Sequence, residues 1–175
     1  MSEENTIKSK IGLSVKIYNA LLTLSCLIGL ALSLYAYTVE LKMEQDRNYK
    51  PLCDINPQVS CTKAFGSEYG KGFGIFGKKS VLYKPNSLFG LMFYSMIATL
   101  VQSNTKVSVL STLVLVTLSN FASLYFAYIL YFILADLCLV CIGTYVVNVV
   151  NLILIQQKYK KLKLVEIKLK GDKTN

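Results

Sequence analysis

A chain of 175 residues has the length of one domain, but at 53% hydrophobic with a mean hydropathy of +0.45 it is too apolar to be an ordinary soluble one. Its net charge of +9 does not argue for nucleic acid: seven of the nineteen basic residues crowd the stretch Lys158 to Lys173, directly after an apolar run, where they suit anionic membrane lipid. There is no histidine, which excludes a histidine general base and leaves zinc only to a site of four thiolates, so no metal is expected.

Residues Met1 to Lys10 are polar and read as a loose terminus. The apolar run Ile17 to Tyr37 follows, and about 20 helical residues cross a bilayer, which predicts a first span over 15–39. Lys8, Lys10 and Lys16 before it resemble a secretory leader, but the run is too long and no small-x-small cleavage site follows, so it reads as retained. Gly29 and Ser33 are small positions suited to close helix contact, and Cys26 reads as a small buried apolar residue without a chemical role.

Glu40, Lys42, Glu44, Asp46 and Arg47 then carry the helix into water until Pro51 stops it. A loop and cap region is expected over 40–85. Cys53 and Cys61 are close enough to close a small ring, and by themselves they read as a structural staple worth about 2–3 kcal/mol. Ser60 suits an N-cap, and Cys61, Phe65 and Tyr69 recur every four residues, which predicts a short amphipathic cap helix lying on the membrane as a lid. Gly66, Gly70, Gly72, Gly74 and Gly77 mark a pliable, turn-rich stretch. No strand precedes them, which argues against a phosphate-binding loop.

The run Leu88 to Val101 is short and spans only if Pro85, Asn86 and Ser87 open its helix, giving 86–102; helix capping accounts for Asn86. Phe89 and Phe93 share one apolar face. A third span over 107–134 carries Tyr125, Tyr128 and Tyr131 near its end as an interfacial belt. A very short turn containing Asp136 leads to a fourth span over 137–157 and a basic tail over 158–175. The expected architecture is therefore an all-α integral membrane domain over 1–175, a four-helix bundle with a large loop and a short cap helix. Even-numbered spans put both termini on one side with eleven basic residues, against eight in the loop from Glu40 to Asn86, which favours cytosolic termini and a lumenal loop. Disulfides persist on that lumenal side.

Cys138 and Cys141 stand three apart at the head of the last span, on one helix face with Tyr145 and Asn148. Interhelical hydrogen bonding would explain the phenol and the amide, and a structural pair the thiols. A disulfide within one helical turn is labile, however, and a helix N-terminus stabilises thiolate, so a redox role is favoured. Asp136 places a carboxylate close by, which opposes the thiolate unless, as an N-cap, it spends its charge on the helix amides. Cys138, nearer the surface, reads as the partner that a lumenal cysteine reaches, and Cys141, a turn deeper, as the thiol that faces a membrane-soluble electron acceptor.

Cys53 and Cys61, the run Gly70 to Gly74, the run Asn86 to Gly90 and the run Cys138 to Tyr145 together resemble the vitamin K epoxide reductase family over nearly all of Tyr35 to Asn151. Pro85 before Asn86, with Tyr35, Ala36, Tyr37, Val39 and Glu40, is most like its subunit 1-like branch. The resemblance implies an enzyme of the endoplasmic reticulum membrane that reduces vitamin K epoxide to quinone and quinone to hydroquinone with no permanently bound cofactor beyond redox-active disulfides. It implies that Cys141 attacks the substrate, that Cys138 resolves it, and that Cys61 with Cys53 relays electrons from lumenal thioredoxin-like proteins. Asn86 and Tyr145 would hydrogen-bond the substrate carbonyls; Phe65, Tyr69, Phe89, Phe93 and Leu134 would wall the ring, where hydroxycoumarin (warfarin-type) inhibitors would compete. This chain has Tyr69 and Lys71 where the family commonly has Trp and Arg. The alternatives are a thiol oxidase that forms disulfides using a bulk membrane quinone, and a non-catalytic four-span scaffold with structural disulfides.

Overall fold

The computed structural model describes residues 2–46, 48–56 and 58–171, with side chains from 12 to 167 apart from positions 47 and 57. Its elements are α1 (Ser2–Gln45), α2 (Cys61–Gly66), two 3-10 turns (Glu68–Gly70 and Gly72–Gly74), α3 (Asn86–Leu100), α4 (Lys106–Tyr128) running into a π-helical turn (Ile129–Ile133), and α5 (Leu139–Gly171). No strand forms among the described residues; three isolated β-bridges hold the loops.

Three helices are long and apolar enough to cross a membrane, within Gly12–Gln45, Lys106–Ile133 and Leu139–Ile167. With 15 residues α3 is shorter, roughly 22 Å at 1.5 Å per residue. The outward faces remain apolar, as at Leu24, Phe121, Leu124 and Val146, which suits lipid rather than water. Tyr125, Tyr128 and Tyr131 are exposed at the end of the α4 unit, as an aromatic belt requires.

Three boundaries differ from expectation. The residues 2–10 join α1 rather than forming a loose terminus, because no proline or glycine interrupts them. At its other end α1 stops at Gln45, well before Pro51, where Asp46 Oδ1 accepts from the Asn48 amide and turns the chain. The expected solvated tail is helical to Gly171, while the residues 172–175, Lys173 among them, lie outside the described part. Within it Lys158 is fully buried, its Nζ donating to the carbonyls of Val101 (2.7 Å) and Ser103 (3.1 Å) at the C-terminus of α3.

α1 packs against α3 and α5, and α5 against α4, whereas α3 and α4 touch little. Small residues set the α1–α3 approach: a Cβ on Gly29 would meet the Tyr94 ring at 2.5 Å, and one on Gly90 the Ser33 hydroxyl at 2.6 Å. Cys26 lies in the tail-end core with Leu22, Ile97 and Val116. A second core, at the opposite end, gathers Cys53, Cys61 and Cys138 with Ala36, Leu130 and Val140. The room left between α3 and α4 becomes the site.

Candidate functional site

Four sulfur atoms form a line at the cap end. Cys53 and Cys61 are joined in a disulfide, with Cα atoms 5.7 Å apart. Cys61 Sγ stands 3.9 Å from Cys138 Sγ, which in turn lies 2.7 Å from Cys141 Sγ; Cys138 and Cys141 are free thiols. Backbone pairing creates this alignment. The Leu137 amide donates to the Gln58 carbonyl (2.9 Å) and the Ser60 amide to the Leu137 carbonyl (3.0 Å), so the residues that immediately follow, Cys138 and Cys61, are held side by side.

The head of α5 settles which of its two weighed roles Asp136 takes. Asp136 does not cap it: the carboxylate is buried with no hydrogen-bond partner among the described residues, and its nearest cation is Lys63 Nζ at 3.9 Å. Cys138 occupies the cap place instead. Its carbonyl accepts from the Ile142 amide (3.0 Å) and its sulfur from the Cys141 amide (3.3 Å), so the helix terminus bears directly on the thiol. Cys138 is also completely buried, so an external cysteine cannot reach it directly in this arrangement. The way in runs through Cys53, which keeps a 6% exposure.

Asp54 builds the loop around the disulfide. Its Oδ1 accepts from the Ser60 hydroxyl (3.0 Å) and the amides of Cys61 (2.6 Å) and Thr62 (3.1 Å), and its Oδ2 from the Thr62 hydroxyl. Partial burial pulls its pKa up, but the hydrogen bonds from Thr62, Ser60 and Cys61 outweigh this and hold it below the ordinary carboxylate value. Cys53, Asp54 and Cys61 place their ligand atoms within 4.8 Å of one another. With two of the three tied in a disulfide and the carboxylate engaged, this donor set does not fit a metal.

The cap helix is a single short α2, capped by Ser60 as expected, with the Lys63 amide donating to its hydroxyl (3.3 Å). Tyr69 does not continue that helix; Gly66 ends it, and Tyr69 stands in the following 3-10 turn. Phe65 and Tyr69 nevertheless face the same cavity. Asn86 explains why. It makes no side-chain cap on α3: its Oδ1 accepts from the Phe73 amide (2.9 Å) and its Nδ2 donates to the Tyr69 carbonyl (2.6 Å). One amide therefore pins both 3-10 turns over the bundle. Lys71 adds a latch to α1 through Glu44 Oε1 at 2.5 Å, and that hydrogen bond raises its pKa.

Beneath the cap lies a cavity of about 420 Å³. Phe65, Tyr69, Asn86, Phe89, Phe93, Leu134, Cys141 and Tyr145, all expected at a binding site, line it; Cys138 does not, being one step behind Cys141. Asn148, on the same face as Tyr145, serves chiefly as interhelical glue: its Oδ1 accepts from Tyr94 (3.0 Å) and its Nδ2 donates to Ser123 (2.8 Å). The Tyr145 hydroxyl has no such partner among the described residues, which leaves it available to a ligand.

Sequence reasoning passed over three wall residues. Phe73 sits between Gly72 and Gly74 at φ 58°, a left-handed conformation unusual for a bulky residue, with its ring 4.9 Å from Phe89 and 6.0 Å from Phe126. The Gly-Phe-Gly run was its only signal. Phe126 lay hidden in an apolar helix. Glu40, read as the start of a wet helix end, is 5% exposed, lines the cavity and accepts from the Ser87 hydroxyl. An apolar chamber with one thiol on its wall and a few convergent polar groups has the make-up of a site for a flat, lipid-soluble molecule.

The model of the vitamin K epoxide reductase family matches residues 20–156. The protein named vitamin K epoxide reductase complex subunit 1 from Mus musculus is 43% identical over 141 residues, covering 76% of this chain and 85% of that protein. Its namesake from Rattus norvegicus is 38% identical over 143 residues, covering 79% and 89%.

Proposed function

The chain belongs to the vitamin K epoxide reductase family, and from that premise we propose that it reduces vitamin K 2,3-epoxide to the quinone and the quinone to the hydroquinone, drawing electrons from lumenal thiols. The observation that carries this reading is the line of sulfurs, with steps of 3.9 and 2.7 Å, whose last member opens into an apolar cavity.

Cys141 attacks an epoxide carbon as thiolate, a carbon–sulfur bond forms, and the ring carbon–oxygen bond opens. Cys138 then attacks the Cys141 sulfur. The Cys138–Cys141 disulfide forms, the carbon–sulfur pair returns to the ring as a double bond, and hydroxide leaves to become water. One dithiol and one epoxide thus give one disulfide, one quinone and one water. With the quinone as acceptor the same two electrons and two protons yield hydroquinone. Tyr145, and the amide hydrogen that Asn86 does not spend on Tyr69, are available to the carbonyl oxygens where negative charge develops.

Reduction of the enzyme runs the other way along the line. A thioredoxin-like dithiol reduces Cys53–Cys61; Cys61 attacks Cys138, Cys141 leaves, and Cys53 resolves the mixed disulfide. The end state, with Cys53–Cys61 joined and both inner thiols free, is the arrangement described above. In this reading α3 is a fourth span, the cap end is lumenal, the membrane is that of the endoplasmic reticulum, and hydroxycoumarins compete for the chamber. The weak contact between α3 and α4 supports entry of substrate from the lipid.

The test is turnover by purified protein in detergent with dithiothreitol, with epoxide, quinone and hydroquinone resolved by chromatography. Epoxide is consumed by the wild type and not by Cys141→Ala. A wild type that leaves epoxide untouched, or a Cys141→Ala variant that still consumes it, overturns the reading.

A further inference from the structure

Reduction of a quinone puts two electrons and two protons on the ring. Cys141 reacts as thiolate, so of the inner pair only Cys138 brings a thiol hydrogen. The second proton comes either from water or from an acid in the chamber wall. Glu40 is the single carboxyl in that wall among the described residues; the other ionisable groups there are Cys141 and the phenols of Tyr69, Tyr94 and Tyr145. Tyr94 is committed to Asn148. The remaining carboxylates at this end, Glu44, Asp46, Asp54, Glu68 and Asp136, do not line the cavity.

Packing puts this carboxyl where a substrate oxygen would lie. Ser33, Ala36 and Glu40 follow one another at helical spacing on α1, and all three line the chamber. The close approach of α1 to α3, set where Ser33 meets Gly90, carries Glu40 to the Ser87 hydroxyl. Ser87 lines the chamber as well and directly follows Asn86, whose Nδ2 keeps one hydrogen beyond the one given to Tyr69. Glu40 makes no ion pair among the described residues, since nearby Lys71 is latched to Glu44 one turn further along α1. Charge buried without a counter-ion is costly, so the acid keeps its proton.

We propose that Glu40 is the acid that protonates a quinone carbonyl oxygen in the chamber, handing its proton on through Ser87. The inference deepens the reductase reading above and rests on it. With the carboxyl protonated, the hydrogen bond reverses: Glu40 donates to Ser87, and the Ser87 hydroxyl turns its own hydrogen toward the chamber. The Cys141 thiolate adds to a quinone ring carbon, a carbon–sulfur bond forms, and the carbonyl oxygen beside Asn86 takes the proton from this pair. Cys138 then attacks the Cys141 sulfur. The disulfide forms, the carbon–sulfur bond breaks, its electron pair makes the ring aromatic, and the Cys138 hydrogen passes to the second oxygen. Hydroquinone results and Glu40 is left as carboxylate. The donor dithiol gives one proton to lumenal water when it attacks as thiolate, and Glu40 recovers one from there past Glu44, which is exposed one turn along the same helix.

The experiment feeds quinone and epoxide separately to wild type, Glu40→Gln and Ser87→Ala in detergent with dithiothreitol, in the absence of air, with Cys141→Ala as the blank. Glu40→Gln keeps a partner for Ser87 but has no proton to give. It is expected to lower kcat for quinone reduction about 10²-fold, the lower end of general acid effects. Epoxide reduction falls by less, because the departing oxygen is not the carbonyl oxygen that the pair reaches, so quinone accumulates when epoxide is the substrate. Equal slowing of both reactions, or slowing of neither, overturns the proposal. Should Glu40→Gln not fold, Ser87→Ala leaves Glu40 in place and interrupts the relay: the same selective loss supports the proposal, and equal effects on the two substrates overturn it. A wild type that reduces neither substrate overturns the reductase reading and the inference with it. A wild type that reduces both, matched by Glu40→Gln, overturns the inference alone.

Discussion

Cys138 Sγ lies 3.9 Å from Cys61 Sγ although 77 residues separate them, and the Ser60–Leu137 backbone hydrogen bond brings them together. The contact is in place before any exchange, so the partners need only a small approach to react.

Cys53→Ala leaves Cys61 without its partner. The variant is expected to accumulate a Cys61–Cys138 mixed disulfide under mild oxidation, seen as a linked peptide by mass spectrometry of the unreduced protein. Recovery of Cys61 in free form, or linked elsewhere, would count against the relay.

Asn86→Ala removes the bonds to the Phe73 amide and the Tyr69 carbonyl together. Loss of partners for part-buried backbone groups costs about 1–3 kcal/mol, and the cap should loosen more than the bundle. Hydrogen exchange should rise across residues 68–76 while the interior of α5 stays protected. Uniform exchange in the two regions would show that Asn86 does not pin the cap.

The depressed pKa of Asp54 has a definite sign in stability. Its contribution is fully present above the unfolded carboxylate value of about 3.9 and is lost as pH falls through the lower folded value. Asp54→Asn should melt below wild type at neutral pH, and the two melting temperatures should converge in strong acid. A gap that persists unchanged at low pH would assign the loss to packing instead.

Lys158→Met leaves the Val101 and Ser103 carbonyls without their ammonium donor at the end of α3. A loss of about 1–3 kcal/mol is expected, with activity per folded molecule preserved because the site lies at the other end. Thermal melts paired with turnover separate the two. A melting temperature equal to that of wild type would mean the buried ammonium contributes nothing there.

The helices were legible because lipid demands long apolar segments and because Ser60 carries its cap in its own side chain. Cys138 and Cys141 were legible because they stand three apart on one helix. The roles of Asn86 and Asp136 were not. Asn86 was read as a local cap and Asp136 was weighed as one, since local spacing is all that a sequence displays, and both act across long separations: Asn86 on the turns at Tyr69 and Phe73, Asp136 toward Lys63. Glu40 was misread for the same reason, as a charge following an apolar run says nothing of the Ser87 hydroxyl that receives it.

By itself, the sequence determined that this is an all-helical membrane protein with two cysteine pairs, because hydropathy and helical periodicity are properties of neighbours along the chain. Only the tertiary structure decided that Cys61 already rests against Cys138 in the folded chain, that Cys138 is sealed and caps its own helix, and how large a cavity lies before Cys141, the thiol already expected to face inward. Those outcomes depend on the Ser60–Leu137 pairing and on the looseness of α3 against α4, which come from packing between segments far apart in sequence.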